Sequence, residues 1–216
     1  IFKSGMLYTK ADGDSLIAEL GKAGISSRFV KVGVAPSGHA VIQVDEEGRN
    51  SIVISAGANR ELDSELIRDA ILRLEDTDWL LLQNETNGIA EAIELAAQKG
   101  KKVAINIAPA DERMFDYPLS KVALIIVNEL EAMALSSKSS PQLAFDSLIK
   151  AYPEIDIVLT LGEEGVWSYR AKDSARKGMA SFNIDAMDET AAGDSFIGYL
   201  MATLVAGKDL HESITL

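Results

Sequence analysis

Asp194 is the residue of this chain best placed to do chemistry. It ends the string Asp188-Glu-Thr-Ala-Ala-Gly-Asp194, which opens into the apolar run Phe196 to Val205. The pattern is a turn of small residues leading into a helix, with a carboxylate on the helix's first turn. Ala192 and Gly193 let a phosphate approach the backbone closely, and helix-terminal N–H groups, which have no intrahelical partners, can bind the anion. A carboxylate repels a phosphate, but it is a good base for a hydroxyl that attacks one. An anion hole beside a base suggests phosphoryl transfer to an alcohol. The competing role for Asp194 is a helix cap, favoured by the same N–H groups and by the positive end of the dipole.

Composition narrows the alternatives. The 216 residues suffice for one sizeable core, or for one domain with a small appendage. A hydrophobic content of 47% with 25% charged residues is that of a globular protein. No uninterrupted apolar stretch approaches the length of a membrane span. Cysteine is absent and the only histidines are His39 and His211, so disulfides, thiolate-held zinc and histidine metal sites are not expected. The formal net charge of −12 argues against a nucleic-acid partner, because neutralising phosphates takes a basic stripe. It does not argue against a single nucleotide. With no visible signal peptide, a cytoplasmic enzyme with no membrane partner is the expectation.

The elements that must position these residues follow from periodicity. Ser15–Lys22 reads as a helix. Phe29–Val34 and His39–Val44 alternate like strands joined by Ala35-Pro-Ser-Gly38, and a turn at Asp45–Gly48 leads to another strand over Asn50–Ser55, a hairpin or meander. From Glu61 onward strand and helix alternate. Helices are predicted from Asp63 or Ser64 to Leu74, over Ile89–Lys99, from Pro141 to about Ala151, and from Ala191. Apolar runs at Asp78–Gln83, Lys102–Ala108, Val122–Val127 and Ile155–Leu161 read as strands buried on both faces, followed by Val166–Tyr169, a polar stretch and Ser181–Ile184. Repeated strand–helix units predict an α/β fold with an open, mainly parallel sheet. Ligands of such sheets bind beyond the carboxyl ends of the strands. That edge would gather Asn84-Glu85, Asn106 to Ala110, Asn128 to Glu131 and Thr160-Leu-Gly162.

Taken in order, these segments resemble the ribokinase-like (PfkB-type) sugar kinases. Asp188-Glu-Thr-Ala-Ala-Gly-Asp194 is similar to the family's signature Asp-Thr-x-Gly/Ala-Ala-Gly-Asp, with Glu189 where Thr is usual and Ala191 where Gly is common. Val127-Asn-Glu-Leu-Glu131 is similar to its Asn-x-x-Glu motif, and Thr160-Leu-Gly-Glu-Glu-Gly-Val166 to its Thr-x-Gly-x-x-Gly nucleotide segment. Ser55-Ala-Gly-Ala-Asn59 and Asn106-Ile-Ala-Pro-Ala110 resemble the ribose-phosphorylating branch. The resemblance covers Asp12 to Leu216.

The resemblance implies an ATP-dependent kinase that transfers the γ-phosphoryl group to a primary hydroxyl, with ribose as acceptor and ribose 5-phosphate as product. Fructose or another family substrate is the alternative acceptor, and a catalytically silent nucleotide- or sugar-binding module the alternative class. Asp194 would be the general base, and the backbone of Ala191, Ala192 and Gly193 the anion hole. Asn128, Thr160, Gly162 and Gly165 would bind the nucleotide, and Glu85 the sugar. Glu131 would organise Mg²⁺ through water, while Asp188 and the Thr190 carbonyl would form a monovalent-cation site suited to K⁺. Each has a structural counterpart: Asn128 as a cap, Glu131 as a first-turn acid, Thr160-Leu-Gly162 as a strand end and turn.

The resemblance also implies a ribokinase-like sheet with helices on both faces and a small β-sheet lid over the sugar. Residues 1–28 and 56–216 would form the kinase domain and 29–55 the lid, which pairs subunits into homodimers in many members. Family members run to about 300 residues, at the large end of single domains. Their opening strand, sugar-binding Asp and Gly-Gly segment have no counterpart in Ile1–Lys10, and Leu216 falls where a helix would continue.

Overall fold

Four apolar runs become the parallel strands of a six-stranded sheet. The computed structural model describes residues 7–8, 10–44, 50–182 and 191–215. Asp188 and Thr190, the expected cation ligands, lie outside the described residues, as do the turn at Asp45–Gly48 and part of the strand expected over Ser181–Ile184. In chain order the elements are β1 (Leu7–Tyr8), α1 (Lys10–Lys22), β2 (Lys31–Val32), β3 (His39–Val44), β4 (Asn50–Ser55), α2 (Ser64–Leu72), β5 (Trp79–Gln83), α3 (Ile89–Gln98), β6 (Lys102–Asn106) and β7 (Leu124–Asn128). They continue with α4 (Glu129–Ser136), α5 (Pro141–Ala151), β8 (Asp156–Thr160), β9 (Val166–Arg170), β10 (Ala175–Met179), α6 (Ala192–Val205) and α7 (Leu210–Ser213).

The chain divides into two compact units. One comprises Ile1–Arg73 and Glu85–Ala92, the other Leu74–Asn84 and Ile93–Leu216. The larger unit carries the sheet in the order β10-β9-β8-β7-β6-β5. Strands β5 to β8 are mutually parallel, and β9 and β10 turn back antiparallel at the edge. Ile105, Ile125, Ile157 and Leu159 are fully buried on one face, and Ala104, Leu124, Ile126 and Val158 on the other. Burial on both faces is why β6, β7 and β8 lack polar alternation, whereas β5, expected to be buried on both faces, is an edge strand with Leu81 exposed. Ile197, Leu200 and Met201 of α6 pack against Ala104, Leu124, Ile126, Val158 and Val166. Phe145 of α5 meets the ring of Trp167, the neighbour of Val166 in β9, at 5.9 Å. Adjacent strand residues point to opposite faces, so α5 and α6 cover opposite sides of the sheet.

Of the expected hairpin or meander, the smaller unit holds the hairpin. β3 and β4 pair antiparallel from His39↔Ser55 to Val44↔Asn50, as the alternation predicts. The strand expected over Phe29–Val34 shrinks to Lys31–Val32 and pairs in parallel with β1. It stops there because the Val34 and Ala35 N–H groups donate to the Glu61 carboxylate, at 2.9 and 3.1 Å, and not to a ladder. The following segment turns back on residues 56–59. Ala58 N–H donates to the Pro36 carbonyl at 2.8 Å, and a Cβ on Gly57 would stand 2.2 Å from that oxygen. Gly57 also has φ +49, so both its backbone conformation and its surroundings require glycine.

Two further expectations are corrected. The polar stretch after Tyr169 contains β10, whose Arg176 and Lys177 reach Asp146 and the His211 carbonyl. Charged residues on an edge strand hide the strand from a hydropathy reading. The first helix begins at Lys10, five residues before the apolar period at Ser15 becomes visible. No described helix is long and apolar enough to cross a membrane.

Candidate active site

Each of the four parallel strands ends on a polar residue: Gln83, Asn106, Asn128 and Thr160. Gln83 is the register partner of Asn106, Asn106 of Ile126, and Asn128 of Thr160. The sheet therefore brings together, at its carboxyl edge, residues that are 20 to 32 positions apart in the chain. Asn106 is 6% exposed and donates from Nδ2 to the Ile126 carbonyl at 3.2 Å. Its Oδ1 accepts from Gln83 Nε2 at 3.1 Å, and the same Nε2 donates to Asp194 Oδ1 at 3.3 Å.

Asp194 is the third residue of α6 and is exposed. The N-cap of that helix is Ala191, in the left-handed region at φ 61°, ψ 17°, with no side-chain cap. The N-cap side chain therefore satisfies none of the first-turn N–H groups. Among the described residues a Cβ on Gly193 would meet nothing within 4 Å. The packing of Ile197, Leu200 and Met201 fixes the helix against the sheet and so fixes where its first turn lies.

Asn128 and Glu131 form a capping box at the start of α4. Asn128 Oδ1 accepts from Glu131 N–H at 2.9 Å, while the Glu131 carboxylate accepts from Asn128 N–H at 2.8 Å and from Asn128 Nδ2 at 2.9 Å. Glu131 is 6% exposed, and burial raises its pKa above the usual carboxylate value, partly opposed by the backbone hydrogen bond from Asn128. The capping roles of both residues are thus realised. A carboxylate has about four lone-pair positions, so the box still leaves it room to accept from a water.

Gly162 and Gly165 frame a single helical turn between β8 and β9. Gly162 has φ +53 and open space around its missing Cβ. Gly165 has φ +100, and a Cβ there would stand 2.0 Å from the Met179 carbonyl oxygen. Its N–H donates to the Gly162 carbonyl and its own carbonyl accepts from Leu161 N–H, at 3.1 and 2.8 Å. Thr160 sits where this loop begins. Glu85 is exposed and belongs to the smaller unit, whereas Asp194 belongs to the larger one.

An anion-ready helix start with an exposed carboxylate, at the carboxyl edge of a parallel sheet, is an arrangement for phosphoryl transfer. The model of pfkB family carbohydrate kinases matches residues 6–216. The chain belongs to that family. It is 35% identical over 187 residues to a ribokinase of Haemophilus influenzae, covering 82% of this chain and 59% of that protein. It is 30% identical over 211 residues to a deoxyribokinase of Salmonella typhi, covering 93% and 67%. The crystal structure of a ribokinase from Thermotoga maritima superimposes with a TM-score of 0.79 at 30% identity, over 97% of this chain and 69% of the other. The chain thus spans less than two thirds of the Haemophilus relative's length. At this edge, Gln83 is a residue that sequence reading did not single out, and Asn106 one that it placed there without a role. Their signal was a single amide closing each apolar run.

Proposed function

We propose that the protein is an ATP-dependent sugar kinase that transfers the γ-phosphoryl group to a primary hydroxyl, with ribose as the acceptor. One observation carries the reading: the exposed Asp194 carboxylate shares the first turn of α6 with N–H groups that the N-cap residue, an alanine, does not cap. The sugar oxygen bonds to the γ-phosphorus as the bond to the bridging oxygen of ADP breaks, and the hydroxyl proton passes to Asp194. The N–H groups of Ala192 and Gly193 point where negative charge collects on the transferring group. Asn128, Thr160, Gly162 and Gly165 are assigned to the nucleotide, and Glu85 to sugar hydroxyls. The unfilled lone pairs of Glu131 suit a water of a magnesium ion that neutralises the nucleotide phosphates. The identity to the Haemophilus ribokinase supports ribose. The Salmonella deoxyribokinase supports 2-deoxyribose as a second candidate. Val41 and Val53, exposed register partners in the β3–β4 hairpin, are suited to pairing two subunits.

The test is coupled detection of ADP with ribose, 2-deoxyribose, fructose, adenosine or no acceptor. Turnover that requires ribose supports the full reading, and turnover with another acceptor reassigns the substrate. ATP binding without turnover on any of them rejects the kinase.

A further inference from the structure

The amides at the ends of β5 and β6 form a hydrogen-bond chain that can run in one sense only. The Ile126 carbonyl can only accept, so Asn106 turns its Nδ2 toward it and its Oδ1 toward Gln83. Gln83 must then donate, and the second N–H on the same nitrogen goes to Asp194 Oδ1. Reversing either amide would set two acceptors face to face. The contact joins residues 111 positions apart, from the sheet edge to the first turn of α6. Asp194 needs such a contact because its own helix provides none. The N-cap is an alanine without a capping side chain, and an exposed carboxylate on one rotatable stem samples several rotamers unless something holds it.

We propose that Gln83 is the positioning residue of the base. It pins Asp194 through Oδ1 and leaves Oδ2 to meet the attacking hydroxyl, and Asn106 holds Gln83 in the donating orientation. The inference rests on the kinase reading and assigns that site a residue it lacked. A base displaced by about 1 Å loses on the order of a hundredfold in rate, which sets the scale of the effect.

The test compares Gln83→Met, which keeps length and loses both donors, with Gln83→Glu, which places an acceptor and a like charge against Asp194. In the protein with Asp194 intact, Gln83→Met is expected to lower kcat roughly tenfold to a hundredfold while KM for ATP and sugar stays within about twofold, and Gln83→Glu to lower kcat further. On an Asp194→Asn background, Gln83→Met is expected to cost nothing more, because the two groups act as one unit. Equal losses on both backgrounds, or unchanged kcat in Gln83→Met, would overturn the assignment. A readout independent of activity is the pair of side-chain amide proton signals of Gln83, identified by their loss in Gln83→Met. They should move when Asp194 is changed to Ala, and unmoved signals would equally reject the contact. If the parent transfers phosphate to no acceptor, the kinase reading falls and the positioning role with it. If the parent turns over and Gln83→Met is neutral, only this inference falls.

Discussion

Glu131 and Asp194 occupy the same position on different helices, the third residue after the N-cap, and the structure uses them in opposite ways. Glu131 reaches back to its own N-cap, is buried, and gives both oxygens to Asn128. Asp194 has an alanine N-cap that offers no side chain, stays exposed, and turns sideways to Gln83. Glu212, third after Asp209 in α7, repeats the Glu131 pattern. A first-turn acid is therefore by itself a cap, as helix statistics expect. It becomes available for chemistry when the N-cap cannot engage it and a neighbouring strand does.

The largest effect that would break this contrast is in turnover. If Asp194 is the base, Asp194→Asn should reduce kcat by about a thousandfold or more while leaving the urea midpoint unchanged. A stability loss with turnover kept would return Asp194 to the capping class. Asn128→Ala should do the reverse and cost about 2 kcal/mol in urea unfolding, through loss of the N-cap and a buried carboxylate left short of a donor. Ala191→Gly sharpens the comparison from the other side. Alanine at φ 61° is strained, and the substitution should add roughly 0.5–1 kcal/mol of stability after the added chain entropy is counted. The smallest expected effect concerns pH. Burial lifts the Glu131 pKa above its ordinary 4.5, so its contribution to stability is complete below about that pH and is lost as pH rises through the lifted value. Glu131→Gln should remove that decline from a series of unfolding curves across the weakly acidic range.

β6, β7 and β8 were legible because burial on both faces writes them as unbroken apolar runs, and α6 was legible because small residues precede an apolar helix. Asn128, Glu131, Thr160 and Asp194 could be found from local patterns, because each lies within a few residues of a strand end or helix start. The partnership of Gln83 with Asn106 and Asp194 was not legible. It depends on strand register and on the docking of α6, which link residues 23 and 111 positions apart. β10 escaped because an edge strand carries charges where an inner strand carries isoleucine, and the early end of β2 because the carboxylate that stops it is 27 residues away. The left-handed conformation of Ala191 was hinted at only by the glycine common at that place in the family signature.

The hydrogen-bonded path from the sheet to Asp194 runs through amides and a peptide group. None of them gains or loses a proton across the range in which proteins stay folded. The aim of the carboxylate is therefore decoupled from acidity. A histidine in place of Gln83 would turn the same scaffold into an acid-gated one, since its donor count changes near neutrality. With two amides in that row, the fold keeps its geometry constant while cellular pH drifts.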